Sequence, residues 1–68
     1  MKKPKIVLSE FGPIRQDGSR ETVQRKILAT CTERGTAELI ASYLRSGAYK
    51  EMLETVSENR KYTITVEQ

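Results

Sequence analysis

The stretch from Ala29 to Leu44 most constrains how this chain can fold, because it joins the end of a strand to an amphipathic helix. Four apolar residues in it follow the i, i+3, i+4, i+7 spacing that places side chains on one helix face. Thr32 is a candidate N-cap and Gly47 suits the C-terminal end. The predicted buried stripe of the helix consists of Ala37, Ile40, Ala41 and Leu44.

The residues after Gly47 indicate a short second helix and then a strand. The second helix is predicted from the stripe Tyr49, Met52, Leu53 and Val56, which has the same spacing as the first. Residues Tyr62 to Val66 alternate between apolar and polar side chains, which is typical of a half-buried strand. We expect Tyr62, Ile64 and Val66 to face the core.

The N-terminal half is predicted to be a β-hairpin. Lys5–Phe11 and Glu21–Thr32 are rich in β-branched residues, and Asp17-Gly18 between them favours a tight turn. Alternation in the second strand would divide its side chains between two faces. One face would carry Val23, Ile27, Ala29 and Cys31, and the other would carry Thr22, Gln24, Lys26, Leu28 and Thr30. Two alternatives remain open. Either face of the first strand could be buried, and the spacing of Val23, Ile27 and Cys31 also fits a helix.

Together these elements predict an α+β fold. We expect a three-stranded, mainly antiparallel sheet in the order β-β-α-α-β, with one long and one short helix packed on one face. The 68 residues form a single domain (1–68), of which residues 1–4 are predicted to be a flexible tail. A chain this short buries little apolar surface, so nearly every apolar residue is needed in the core.

The residue types argue against catalysis. The chain has no histidine and one cysteine, Cys31, so the usual general base, a Cys–His pair and a Cys/His metal cluster are all missing. The glycines are isolated and form no phosphate-binding loop. We therefore expect a protein that is not an enzyme and uses no cofactor or metal. A single cysteine, no signal-peptide core and no apolar run near the ~20 residues of a membrane span predict a cytoplasmic protein with no membrane partner.

A sheet with helices on one side leaves its other face free to bind a partner. The formal charge is +3, with basic residues spread along the chain. The predicted contact residues are Arg15, Arg20, Gln24, Arg25, Lys26, Leu28, Arg60 and Lys61. We expect a larger protein or nucleoprotein partner. Direct nucleic-acid binding through Lys and Arg on the sheet edge is the alternative, and homodimerisation would also satisfy such a surface.

The segment 17–44 resembles small accessory proteins of phages and mobile elements. The resemblance lies in the Asp-Gly hairpin, the strand end Ala29-Thr30-Cys31-Thr32 and the helix carrying Ala37-Glu38-Leu39-Ile40-Ala41 and Leu44. It implies a small inhibitor of host defence, of the class that includes anti-CRISPR proteins. Such proteins bind and block a larger protein or nucleoprotein, and the resemblance carries no catalytic residues.

Overall fold

The computed structural model describes residues 2–68 and contains five elements in the predicted order. They are β1 (Lys5–Ile14), β2 (Arg20–Thr30), α1 (Arg34–Ser46), α2 (Lys50–Glu54) and β3 (Lys61–Glu67). The strands form one antiparallel sheet in the order β2-β1-β3, so β1 lies at the centre and β2 and β3 are the edges. The predicted α+β class is confirmed, and the helical alternative for β2 is wrong.

The predicted turn closes the β1–β2 hairpin with a three-residue loop. The amide of Arg15 donates to the carbonyl of Ser19 at 2.8 Å, and the amide of Gly18 donates to the carbonyl of Arg15 at 2.9 Å. Gly18 has φ +86°, a conformation that costs a glycine little. The carboxylate of Asp17 accepts from the Ser19 amide at 2.9 Å. The loop is therefore one residue longer than the two-residue hairpin that Asp-Gly favours.

The core is small and lies between α1 and the strands β1 and β3. Its fully or nearly fully buried members are Ile6, Ala37, Ala41 and Ile64. The two alanines have short side chains, which lets the helix backbone approach the sheet closely. Half-buried apolar side chains surround this cluster, namely Leu8, Leu28, Ala29, Cys31, Leu44, Tyr49, Leu53 and Val66. Ile6 and Leu8 therefore face the helices, which resolves the ambiguity that β1 showed in the sequence.

One member of the predicted helix stripe is not buried. Ile40 is 37% exposed, whereas Ala37 and Ala41 are fully covered. The helix rests on the sheet along the line from Ala37 to Ala41, and Ile40 lies about 100° round the helix from Ala41. A sheet of three strands is too narrow to cover that side as well. Including Ile40 in the buried stripe was therefore wrong.

Strand β2 does not keep the simple alternation that the sequence suggested. Its register with β1 shifts between the pairs Ile6–Ala29 and Val7–Ile27, which leaves Leu28 as an extra residue. Such a bulge lets Leu28 and Ala29 both pack against the core and turns Ile27 to the opposite face. The prediction that Ile27 and Ala29 share a face was wrong. The prediction that Leu28 lies on the free face was also wrong, since Leu28 is a half-buried core residue.

The two ends of α1 differ in how well the sequence predicted them. The helix begins at Arg34 after Glu33 in the N-cap position, so Thr32 is not the cap. At the other end Gly47 is the C-cap, as predicted, and its amide donates to the Leu44 carbonyl at 3.4 Å. A Cβ at Gly47 would lie 2.9 Å from the Tyr43 carbonyl oxygen, which explains why a glycine stands there.

The second helix is shorter than its predicted stripe. α2 ends at Glu54, so Val56 lies beyond it and is exposed.

The segment before β1 is held in place at Pro4. Pro4 is buried, and its carbonyl accepts a hydrogen bond from the Cys31 amide at 2.9 Å. Pro4 therefore does not belong to a flexible tail. Met1 lies outside the described residues, while Lys2 and Lys3 are exposed.

Candidate binding surface

The sheet face opposite the helices carries a mixture of apolar, hydroxyl and cationic side chains. We call it the open face. Residues opposite each other on antiparallel strands share a face, so the register defines its membership. It comprises Lys5, Val7, Ser9 and Phe11 of β1, Thr22, Arg25, Ile27 and Thr30 of β2, and Lys61, Thr63, Thr65 and Glu67 of β3. Ile27 is 55% exposed, so the edge strand β2 presents an aliphatic side chain to solvent on this face.

An ion pair between Arg25 and Glu67 crosses the open face from one edge strand to the other. Arg25 lies opposite Ser9 and Glu67 lies opposite Lys5, so the pair runs diagonally over the intervening residue, Val7. Val7 is only 3% exposed although no helix covers it. The hydrogen bond from Arg25 holds the pKa of the Glu67 carboxyl below its usual range.

Next to this ion pair lies a cavity of about 480 Å³, which we call the lysine pocket. Its floor is aliphatic, formed by Val7 and Ile27. Its rim is polar and mainly cationic, formed by Lys2, Lys3, Lys5, Arg25, Glu67 and Gln68. The three lysines make no ion pair with any residue in the range 2–68. The volume is within the range of about 300–1,000 Å³ that is usual for ligand sites.

The charges of the lysine pocket account for the net charge of the whole molecule. The pocket holds four cations and one carboxylate. Removing these from the chain's 12 basic and 9 acidic residues leaves eight of each sign elsewhere. The excess positive charge is therefore concentrated at one end of the open face, where it can attract an anionic group.

The predicted contact residues do not form one surface. Arg25 and Lys61 lie on the open face, whereas Gln24 and Lys26 lie on the side that carries the helices. There Gln24 and Lys26 line a second, smaller cavity of about 260 Å³ with Leu8, Glu10, Met52 and Tyr62. Adjacent residues on a strand point to opposite faces, so Arg25 and Lys26 cannot contact the same part of a partner.

All four predicted arginines have partners within the molecule, and that of Arg25 is Glu67. Arg15 pairs with Glu21 at 3.3 Å across the hairpin, and Arg60 pairs with Glu10 at 3.4 Å. Arg20 donates to the carbonyl of Gly12 at 3.2 Å and to that of Ser57 at 2.8 Å. Arg20 therefore ties the start of β2 to the loop before β3, and this gives it a structural role.

Sequence reasoning missed two cations of the lysine pocket, Lys2 and Lys3, because it assigned them to a tail. The signal in the sequence was the run Lys2-Lys3-Pro4-Lys5, which places cations immediately before a strand. The anchoring of Pro4 by Cys31 brings that run over the open face. Glu67 was missed as well, because its pairing with Arg25 depends on the strand order.

Comparison with known protein families, with curated proteins and with solved structures found no match to this chain. Across residues 2–68, no three or more Cys, Asp or Glu side chains are placed together so that they could hold a metal ion. Neither α1 nor α2, the helices in the described part of the chain, is long and apolar enough to cross a membrane. The features that stand out are the open face and its lysine pocket.

Proposed function

We propose that this protein is a non-enzymatic binding module that contacts a larger protein or nucleoprotein through the open face of its sheet. The observation that supports the proposal most directly is the exposed aliphatic side chain of Ile27 beside the cations Arg25 and Lys5. An apolar centre with a polar and charged rim is the usual anatomy of a protein interface. The hairpin extends the same sheet and carries the exposed side chain of Arg15.

Inhibition is the further step that the resemblance to small phage accessory proteins implies. A domain of 68 residues that covers part of a larger partner can block that partner without any chemistry of its own. We propose a host-cell cytoplasmic setting for such an inhibitor. Both statements depend on the resemblance, whereas binding through the open face depends on the side chains of that face.

The proposal is tested by removing an aliphatic side chain from the open face and, as a control, one from the helix side. Ile27→Ser alters the open face, while Leu39→Ser alters the outer side of α1, where Leu39 is 72% exposed. Tagged wild type and both variants are used to capture partners from lysates of candidate host cells. We expect Ile27→Ser to lower affinity for the captured partner about tenfold, since an aliphatic contact buried in an interface is worth ~1–2 kcal/mol.

The control separates a specific surface from general stickiness. Leu39→Ser is expected to retain the partner at wild-type affinity. If Leu39→Ser loses the partner and Ile27→Ser keeps it, the binding surface is α1 and the open-face proposal is wrong. Circular dichroism of both variants checks that the fold is intact, because both side chains are mainly exposed and contribute little to the core.

Direct nucleic-acid binding is the second candidate, and the cations around the lysine pocket favour it. Four positive side chains within one cavity could contact successive phosphates. Nucleic-acid binding of this kind weakens steeply as salt rises, because each neutralised phosphate releases counterions. An affinity for single-stranded DNA that does not change between low and high salt would contradict it.

A further inference from the structure

The lysine pocket combines positive charge with an aliphatic floor, and this combination selects among anionic ligands. Lys2, Lys3 and Lys5 have no carboxylate partner in the described part of the chain, so each can bind an incoming anion without breaking an ion pair. Ile27, which is 55% exposed, can bury an apolar group, whereas Val7 is only 3% exposed and lies beneath it. The ligand that uses both features presents carboxylates and an apolar group on the same side.

The floor of the pocket does not favour nucleobases. Single-stranded nucleic acids are usually held by aromatic rings on which the bases stack. The open face has one aromatic residue, Phe11, which lies opposite Lys61 at the other end of β1 and does not line the pocket. An exposed aliphatic side chain such as Ile27 packs better against aliphatic side chains of a peptide.

The protein already contains an example of the contact that such a ligand would make. The carboxylate of Glu67 accepts a hydrogen bond from the guanidinium of Arg25 on the open face. Both side chains are about half exposed, at 52% and 42%, so this contact is accessible to solvent. A carboxylate from outside can therefore reach the same rim of the pocket, where the lysines carry further positive charge.

We infer that the lysine pocket binds an extended acidic segment of a protein partner, with carboxylates on Lys2, Lys3 and Lys5 and an aliphatic side chain on Ile27. The inference rests on the proposed function, because it gives the chemistry of the partner segment that the open face accepts. Its basis is charge complementarity, since the pocket holds the net positive charge of the molecule.

The test uses a short fluorescent peptide whose every second residue, on the side that faces the pocket, is glutamate or valine in turn, with serine at the positions between them. Binding is measured by fluorescence anisotropy, and the site is located from chemical-shift changes in the NMR spectrum of the protein. We expect saturable binding with shifts at Val7 and Ile27, and no binding of a peptide in which glutamine replaces each glutamate. No binding of the acidic peptide, or equal binding of both peptides, would overturn the inference.

Two matched charge reversals test whether the pocket itself is responsible. Lys5→Glu alters the pocket, whereas Lys50→Glu makes the same change of charge on α2, and Lys50 does not line the pocket. We expect Lys5→Glu to weaken peptide binding about three- to tenfold and Lys50→Glu to leave it unchanged, because exposed ion pairs act over short distances. Equal weakening by both variants would show diffuse attraction and overturn the inference.

A third arm tests a nucleic-acid ligand. Oligothymidylate with the same number of charges as the peptide is titrated into the wild type and into Lys5→Glu. We expect weaker binding than the acidic peptide shows. If oligothymidylate binds more tightly than the peptide and loses affinity in Lys5→Glu, the pocket is a nucleic-acid site and the peptide inference is wrong.

The inference and the proposed function can fail separately. A captured partner that is lost with Ile27→Ser but binds Lys5→Glu at wild-type affinity would leave the open-face proposal standing and overturn the pocket inference. The opposite result is a pocket that binds the acidic peptide and a captured partner that binds both Ile27→Ser and Lys5→Glu at wild-type affinity. That result would mean that the ligand chemistry of the pocket is right and the proposed function is wrong.

Discussion

Arg25 and Glu67 join the two edge strands of the sheet across the central strand, and Val7 lies beneath them. In sequence they are 42 positions apart. The pair therefore covers Val7 on the open face of the sheet, where no helix covers it. It also occupies one side of the lysine pocket, so it links the stability of the domain with the chemistry of its candidate site.

Removing the Glu67 carboxylate is expected to strengthen binding of an acidic ligand. In Glu67→Gln the guanidinium of Arg25 has no competing carboxylate, and the pocket gains one unit of positive charge. We expect affinity for the acidic peptide to rise about threefold. Anisotropy titration measures it, with Glu54→Gln on α2 as a control for net charge alone. Equal gains in both variants would contradict a local effect.

The stability of the domain is expected to fall in acid, and Glu67 should contribute to that fall. The Arg25 hydrogen bond lowers the pKa of Glu67 in the folded state, and the Ser19 hydroxyl and amide lower the pKa of Asp17. A carboxyl with a lowered folded pKa stabilises the fold above its unfolded pKa, and this contribution is lost as the pH falls through the folded pKa. Thermal unfolding between about pH 6 and pH 3 measures the effect.

Two substitutions assign this acid sensitivity to its groups. Glu67→Gln and Asp17→Asn should each make the melting temperature less dependent on pH, and the double variant should be the least dependent. Glu33→Gln is the comparison, because Glu33 makes no ion pair or side-chain hydrogen bond among residues 2–68. A pH dependence that none of the substitutions changes would show that other groups are responsible.

The revised position of Ile40 predicts unequal effects for two isoleucine truncations. Ile64→Ala removes a side chain that is 4% exposed and is expected to cost roughly 2–5 kcal/mol of unfolding free energy. Ile40→Ala should cost about 1 kcal/mol, since 37% of Ile40 is already in water and alanine is the better helix former. Urea denaturation of both variants measures the difference. Equal losses would mean that α1 is rotated about its axis so that Ile40 also faces the sheet.

The glycines at the two ends of α1 predict effects of opposite sign. An alanine Cβ at Gly47 would lie 2.9 Å from the Tyr43 carbonyl oxygen, so Gly47→Ala should destabilise the domain by about 1–3 kcal/mol. Gly35 lies within the first turn, and a Cβ added there would meet no atom within 4 Å, so Gly35→Ala should stabilise the domain by up to ~1 kcal/mol. Thermal unfolding followed by circular dichroism distinguishes the two.

Neighbouring cations on β2 offer a test of which sheet face binds. Arg25→Gln changes the open face, and Lys26→Gln changes the opposite face by the same charge. We expect only Arg25→Gln to weaken binding of the acidic peptide, by about threefold. NMR shifts of both variants give the comparison. A larger effect of Lys26→Gln would place the ligand in the smaller cavity beside Met52.

The elements with a regular period could be predicted from sequence, and the irregular ones could not. Tyr62 to Val66 alternates without interruption, so both the strand and its inward side chains were predictable. In β2 the extra residue at Leu28 has no periodic signature, because a bulge shifts the pattern without changing the composition. The one hint was Arg25, because strict alternation puts this charged residue on the same side as Val23, Ile27, Ala29 and Cys31.

The candidate site was less predictable than the fold, because it depends on tertiary contacts. Lys2 and Lys3 reach the open face through the hydrogen bond between Pro4 and Cys31, which no local pattern indicates. The ion pair of Arg25 with Glu67 requires β1 to lie between the other two strands. The sequence indicated which residues are cationic, but their grouping into one pocket follows from the strand order.

The uneven distribution of charge has a consequence for how this molecule meets its partners. Because the charges outside the lysine pocket are equal in number, the net charge of +3 is that of the pocket at one end of the open face. An anionic surface exerts a torque on such a molecule and turns the pocket toward itself before contact. Association should therefore slow as ionic strength rises, while the lifetime of the complex, which depends on short-range contacts, should change much less.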